Sequence, residues 1–296
     1  MSKGILIFAR NNTQIDYIKQ AYELALRSQE FLELPVTVVT DSPDYLKEKY
    51  KDWKIVFDKV IPIDWGNNDS STEIAYISKE YRNKKRYNDG SLTKKHLEFK
   101  NEIRTQAYDI TPYEETIILD TDYIICNNIL LNCFEQRNNF LIYKDAHDLS
   151  GFRERKEFEK ISDTGPDFYW ATCVFFRKTQ ENKIFFDLLK HIHENYSHYL
   201  SIFQIPSSVY RNDHAFSIAI HIMNGYSKGD FAGKMPGTLY YTTDKDILIN
   251  LTKNSLEFLI EKENYLGEYT LIRTKDINVH CMNKFSLNRI LDKEQL

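Results

Sequence analysis

The sequence is poor in the residues that punctuate or staple a chain. Seven prolines and ten glycines in 296 residues exclude collagen-like and Pro/Gly-rich low-complexity architectures. The four cysteines, Cys126, Cys133, Cys173 and Cys281, form no CxxC pair. That speaks against a zinc ribbon or dithiol redox motif and reads as buried free thiols in a reducing compartment. No internal repeat recurs, which removes solenoids and propellers. No run approaches the roughly 20 apolar residues of a membrane-spanning helix. Residues 4–9 are apolar but are too short, and lack the cleavage site, for a secretory signal. A cytoplasmic chain without a membrane span is expected. The net charge of -4 leaves no global positive field for nucleic acid.

What is present is a globular composition. Hydrophobic residues make up 42% and charged residues 28%, enough at this length for a large core. The aromatic share of 14%, led by Tyr and Phe, predicts aromatic-lined grooves as well as core. Residues 5–9 and 36–40 are apolar runs that suit buried strands. Between them Ile15, Ile18, Tyr22, Ala25 and Leu26 recur at helical spacing. Strand, helix, strand predicts parallel pairing with a right-handed crossover. Residues 55–57 and 60–63 read as further strands. Residues 67–88 are polar, aromatic and basic, and read as a loop or lid. Leu97, Ile103, Ala107 and Ile110 suit a helix that sets Lys100 and Arg104 on one face, stopped by Pro112. Strands follow at 116–119, 140–143 and 171–176. Ile184, Leu188, Leu189 and Ile192 mark a helix, and another covers 213–223 before Asn224-Gly225. The fold class is α/β.

The strongest chemical signal is Asp120-Thr121-Asp122, directly after the 116–119 strand. In open α/β sheets, ligands bind beyond the carboxyl ends of strands. Two carboxylates leaving such an end together repel unless a cation sits between them or one protonates. A hard divalent ion, Mg2+ or Mn2+, is the natural partner for oxygen ligands. It also neutralises charge developing on a diphosphate. The bland alternative is a solvated Asp-Thr-Asp turn.

In this setting the three residues resemble the DxD motif of GT-A glycosyltransferases. The resemblance implies a GT-A, Rossmann-like three-layer fold with a mainly parallel central sheet and a small mixed C-terminal portion. It implies one catalytic domain over 1–296. Residues 1–125 would form the nucleotide-binding half, and 126–296 the acceptor-binding half with a C-terminal segment that closes the metal site. Arg104, and Lys100 less so, stand where this superfamily often places a basic donor contact. Ala9 ends the first strand and is counted among the donor-binding positions. Trp170-Ala171-Thr172 resembles the strand that carries small residues beside the donor sugar, so Thr172 is a donor contact. Asn212-Asp213-His214-Ala215 resembles the helix start that faces the sugar. Val279-His280 with Lys284 resembles the family-eight pattern, in which the His completes the metal site and the Lys binds the diphosphate. The metal ligands are then Asp120, Asp122 and His280, and Lys284 meets the leaving group. The pattern also resembles proteins of large tailed phages. Departures are Asn283 where Gly is usual, Phe285-Ser286 for Pro-Trp, and His214 for Gln or Glu.

The resemblance implies a nucleotide-sugar donor, most commonly a uridine-linked hexose, and retention of anomeric configuration. A metal and a lysine at the diphosphate would stabilise the transition state more than the ground state. Asp213 and Asp145 are the catalytic candidates: Asp213 at a helix start, Asp145 in the Asp145-Ala-His147-Asp148 loop, where Asp148 is a further sugar or acceptor contact. The acceptor is a glycan, a protein, a small molecule or DNA bearing hydroxymethylated bases. For the last, Arg82, Lys84, Lys85, Arg86, Lys94, Lys95 and Lys100, interleaved with Tyr81 and Tyr87, would meet phosphates. A haloacid-dehalogenase-type phosphatase also places Asp-x-Asp after a strand. It wants Thr two residues beyond the second Asp, where this chain has Ile124, and it uses the first strand. A nucleic-acid-binding protein on the same scaffold is the remaining alternative.

Overall fold

The computed structural model of the chain describes residues 2–12, 14–63, 73–78, 92–97, 102–153, 156–163, 165–205, 210–262 and 267–293. In chain order the strands are β1 (Lys3–Ala9), β2 (Val36–Thr40), β3 (Lys59–Pro62), β4 (Glu73–Ser78), β5 (Leu92–Leu97), β6 (Glu115–Leu119), β7 (Tyr123–Ile124) and β8 (Phe140–Tyr143). They continue as β9 (Ala146–Asp148), β10 (Trp170–Arg177), β11 (Gly233–Lys234), β12 (Leu239–Thr242), β13 (Ile247–Leu251), β14 (Ser255–Glu261), β15 (Tyr269–Lys275) and β16 (Val279–Cys281). The helices are α1 (Tyr17–Leu32), α2 (Pro43–Lys49), α3 (Trp53–Val56), α4 (Ala107–Ile110), α5 (Gln180–Glu194), α6 (Tyr196–Ile202), α7 (Asn212–Met223) and α8 (Lys284–Lys293).

The central sheet has seven strands in the order β11-β8-β10-β6-β1-β2-β3. Pairings β1–β2, β1–β6, β2–β3 and β8–β11 are parallel, and β10 runs antiparallel to both its neighbours. This is the α/β architecture with a mainly parallel central sheet that the apolar runs implied. A four-stranded mixed sheet, β7-β16-β12-β9, and an antiparallel sheet, β13-β14-β15, form the later part. Gly4 on β1 is required by close approach: a Cβ there would stand 2.4 Å from the Tyr113 ring. All four cysteines are free and buried. Among the described residues no helix is long and apolar enough to cross a membrane.

Several expectations are corrected. Residues 55–57 are not a strand: Trp53–Val56 is a single helical turn. Within the expected 67–88 loop, Glu73–Ser78 is a strand paired with Leu92–Leu97, so Leu97 is not helical. Arg82, Lys84, Lys85, Arg86 and Lys100 lie outside the described residues. Arg104 sits on a 3-10 turn, Glu102–Gln106, that runs into the short α4, rather than on one long helix. A 3-10 turn rotates successive side chains by more than an α-turn does, which re-aims Arg104.

α1 begins at the Asp16 cap, whose carboxylate accepts from the Lys19 amide at 2.9 Å. Its buried face is wider than the expected one: Ile15, Ile18 and Ala25 are buried as the spacing implied. Ala21, Leu24, Ala25 and Ser28 are buried, but so are Lys19, Gln20 and Arg27. Leu26 is exposed, and Tyr22 stacks on Tyr50. The helix is covered on two sides, by β1 and β2 and by α8.

The buried side chains form two clusters. The large one spans the central sheet and its helices. The smaller gathers Leu248, Leu256, Phe258, Ile260 and Leu287 from β13, β14 and α8. β7 divides them: Tyr123 joins the large cluster and Ile124 the small one. Successive strand residues face opposite ways. The Asp-Thr-Asp turn therefore lies at the seam of the two cores.

Candidate active site

Asp120 leaves β6, whose five residues are all buried. Its amide donates to the Thr172 carbonyl at 2.9 Å, and the Tyr123 amide donates to the Asp120 carbonyl at 3.0 Å. The turn is thus held against β10 and closed on itself. β16 then pairs antiparallel with β7, setting His280 opposite Tyr123, and the Cys281 amide donates to the Asp122 carbonyl at 2.9 Å. This pairing brings a histidine near the carboxy-terminal end against the two acids. One ligand atom from each of Asp120, Asp122 and His280 falls within 4.8 Å of the others.

Asp122 is buried, and Asp120 is partly open. Lys284 Nζ stands 2.8 Å from Asp122 Oδ2, and His280 Nε2 stands 3.4 Å from the same oxygen. Burial works to raise the Asp122 pKa, but Lys284 and His280 outweigh it and hold the carboxyl well below its usual range. Burial in turn works to lower the Lys284 pKa, and the Asp122 carboxylate outweighs it and holds the ammonium above its ordinary value. Asp122 is a carboxylate and Lys284 a cation at neutral pH. Asp120 pairs with the Arg104 guanidinium. Each acid thus has a cation of its own, which relieves their mutual repulsion.

The donor set suits a divalent ion. Two carboxylates and an imidazole form an oxygen-rich mixed set of the kind Mn2+ or Mg2+ accepts. Asp122 Oδ2 is buried, and the Lys284 ammonium at 2.8 Å and His280 Nε2 at 3.4 Å both approach it. A carboxylate has lone pairs for more than one partner, so a cation coordinated at Asp122 is compatible with the Lys284 contact. The Thr172 hydroxyl lies 3.3 Å from His280 Nδ1, and Trp170 packs edge-on to the ring. These contacts aim Nε2 at Asp122, an arrangement typical of the supports behind metal-binding histidines.

The remaining sequence candidates divide. Arg104 is buried and donates to the Ala171 carbonyl at 2.5 Å while pairing with Asp120. Asp213 Oδ1 accepts from the Ala171 amide at 3.0 Å. A polar chain thus runs from Asp213 through Ala171 and Arg104 to Asp120. Asp213 is not the cap of α7: Arg211 holds that position, and its guanidinium meets Asp213 Oδ2 at 2.9 Å. Thr172 turns its hydroxyl to His280, and Ala9 is buried at the end of β1.

Asp145 is exposed just before β9, and among the described contacts none joins it to the acid pair. Asp148, read as a sugar or acceptor contact, is instead locked in a buried network. Arg153 bridges it to Asp246, with contacts of 2.8 and 2.7 Å. His214 is also buried, within reach of Tyr196 at 3.2 Å. Burial, then the nearby Arg211, lowers its pKa to about 4, so it is neutral.

Gln20 and Tyr17 were not legible as site residues. Gln20 accepts from the hydroxyl of Thr121, between the two acids, at 3.1 Å. Tyr17 lies within electrostatic reach of Lys284, Asp122 and Asp120; burial above all raises its pKa. A polar residue one turn into an amphipathic helix carries no signal of its own. The partner that buries Gln20 begins at Lys284.

No protein-family model and no curated protein matches the chain. Among solved structures it is similar to the galactosyltransferase LgtC in complex with donor and acceptor sugar analogues. That likeness has 15% identity and a TM-score of 0.44, over 81% of this chain and 74% of LgtC. It is also similar to the glycosyltransferase GlyE of Streptococcus pneumoniae TIGR4, at 13% identity and a TM-score of 0.42. There 79% of this chain is covered and 45% of GlyE, so the chain spans less than half the length of GlyE.

Proposed function

We propose that the chain is a glycosyltransferase that uses a divalent metal to bind the diphosphate of a nucleotide-sugar donor. The observation that carries the reading is the convergence of Asp120, Asp122 and His280, with Lys284 beside them, at the carboxyl end of a central strand. Asp120, Asp122 and His280 would hold Mn2+ or Mg2+, which would supply charge neutralisation at the diphosphate. Lys284 adds a fixed cation that meets the leaving group as its negative charge grows, which favours the transition state over the ground state. Arg104 orients Asp120, and Thr172 orients His280. Asp213, bound to the strand that also carries Thr172, faces the sugar and contacts its hydroxyls.

The half before residue 126 takes the nucleotide, and the later half takes the acceptor and closes the metal site. Uridine-linked hexoses are the first donors to try, and retention of configuration is the expected outcome. The acceptor is a glycan, a small molecule or modified DNA. Salt dependence of duplex DNA binding separates the last, because each phosphate contact steepens the slope.

The test is a panel of nucleotide-sugars with Mn2+, read by donor hydrolysis and by thermal shift. One donor should stabilise the protein only with metal, and Asp122→Ala should lose that response. An Asp122→Ala variant that keeps activity and metal-linked stabilisation would remove the assignment.

A further inference from the structure

Gln20 joins the two sides of the candidate site through a single buried amide. Its Oε1 accepts from Thr121 Oγ1 at 3.1 Å, inside the Asp-Thr-Asp turn. Its Nε2 donates to Asn288 Oδ1 at 2.8 Å and to the Lys284 carbonyl at 3.3 Å. The side chain is 1% exposed. A buried amide with one acceptor and one donor group committed has no comparable second arrangement, because any other leaves polar atoms unmatched. Next to it Lys19 Nζ donates to the Asn288 carbonyl at 3.2 Å and pairs with Asp292. α1 therefore grips the first turns of α8 while its other side packs on β1 and β2.

The consequence falls on Lys284, the first residue of α8. A lysine ammonium rides on a flexible four-carbon stem, so its reach depends on where the stem is anchored. Gln20 anchors it twice, at the Lys284 carbonyl and at Asn288 one turn on. The same amide holds the turn between the two acids.

We propose that Gln20 is a positioning residue. It keeps the Lys284 ammonium in register with the Asp120–Asp122 turn, so that ammonium and metal meet the same diphosphate. This rests on the transferase reading above. A merely structural amide would lower stability and would affect diphosphate binding equally whether or not Lys284 is present. A positioning amide acts through Lys284 and falls silent without it.

The experiment measures binding of inorganic pyrophosphate with Mg2+ to the full chain by calorimetry. The proteins are wild type, Gln20→Leu, Lys284→Met and the double variant, with Asn288→Ala as a milder cut of the same link should Gln20→Leu fail to fold. Lys284→Met should weaken binding about 10- to 100-fold, the loss of one charge-assisted contact. Gln20→Leu should weaken it about 5- to 10-fold, and by less than about twofold when Lys284 is already Met. Asn288→Ala should follow the same pattern with a smaller loss. If Lys284→Met weakens binding but the Gln20 and Asn288 variants do nothing, or act equally in both backgrounds, the positioning role is wrong and the transferase reading stands. If wild type binds no pyrophosphate, or Lys284→Met binds as wild type does, the diphosphate role of Lys284 falls, and this proposal with it.

Discussion

The two walls of the site rest on different foundations. Asp120 and Asp122 follow a fully buried strand flanked by β1 and β10 inside the seven-stranded sheet. His280 and Lys284 come from the segment around Phe258 and Leu287, a much smaller cluster. Polar clips from α1 tie that segment to the large core. Besides Lys19 and Gln20, Arg27 donates to the carbonyls of Ile125, Thr252 and Lys253. Backbone hydrogen bonds of β16 add to them. A typical hydrogen bond contributes about 1 kcal/mol net, against about 2–3 kcal/mol for a fully buried aliphatic or aromatic side chain. The acid wall is therefore the rigid one. The wall that brings imidazole and ammonium is the one that yields first under strain, heat or denaturant.

The most direct way to break this contrast is to hollow the small cluster. Phe258→Ala should cost about 3–5 kcal/mol. Hydrogen exchange should rise across residues 247–291 before it rises in β1 or β6. A uniform rise over both walls would mean that the two clusters unfold as one unit, and the contrast would be lost.

Acid sharpens it from the other side. His214 lies against the large core, and burial pushes its pKa down to about 4 from the ordinary imidazole value of about 6.5. Between those values the unfolded chain binds the proton and the folded chain does not. Stability from this group is fully present above about pH 6.5 and declines as pH falls toward 4. At most about 3 kcal/mol is lost. His214→Gln should flatten that part of the stability–pH curve in urea titrations. An unchanged slope would place the acid-sensitive group elsewhere.

The smallest effect probes the contact between the walls. Thr172→Val removes the hydroxyl beside His280 Nδ1 while keeping the volume. Metal affinity should fall about tenfold, at the low end for groups that orient a ligand, with thermal stability without metal little changed. An affinity equal to wild type would show that strand pairing alone aims the imidazole.

How much of this was legible in the sequence follows the same division. Strand β6 and the acids after it were readable because a strand buried on both faces is an unbroken apolar run, and charge at its end stands out. His280 and Lys284 were readable only through a family resemblance. Nothing in their spacing says that β16 will pair with β7. Residues 55–57 misled because a short apolar run is shared by strands and helical turns. The spacing on α1 found Ile15, Ile18 and Ala25 but not the second buried face with Lys19, Gln20 and Arg27, because its partner there, α8, lies far along the chain; Gln20 meets Asn288, 268 positions away. Asp148 misled because a carboxylate in a loop looks the same whether it will meet a ligand or Arg153.

The proposed function requires that Asp120, Asp122 and His280 hold a divalent cation together. Mn2+ binding to the full chain, followed by electron paramagnetic resonance, tests it without any donor. Wild type should take up one ion per chain, and Asp122→Ala should lose more than about 100-fold in affinity, because losing a ligand costs more than the roughly 10- to 100-fold lost with a group that only orients one. Wild type that leaves Mn2+ free in solution, or an Asp122→Ala variant that binds it as tightly, would contradict the account.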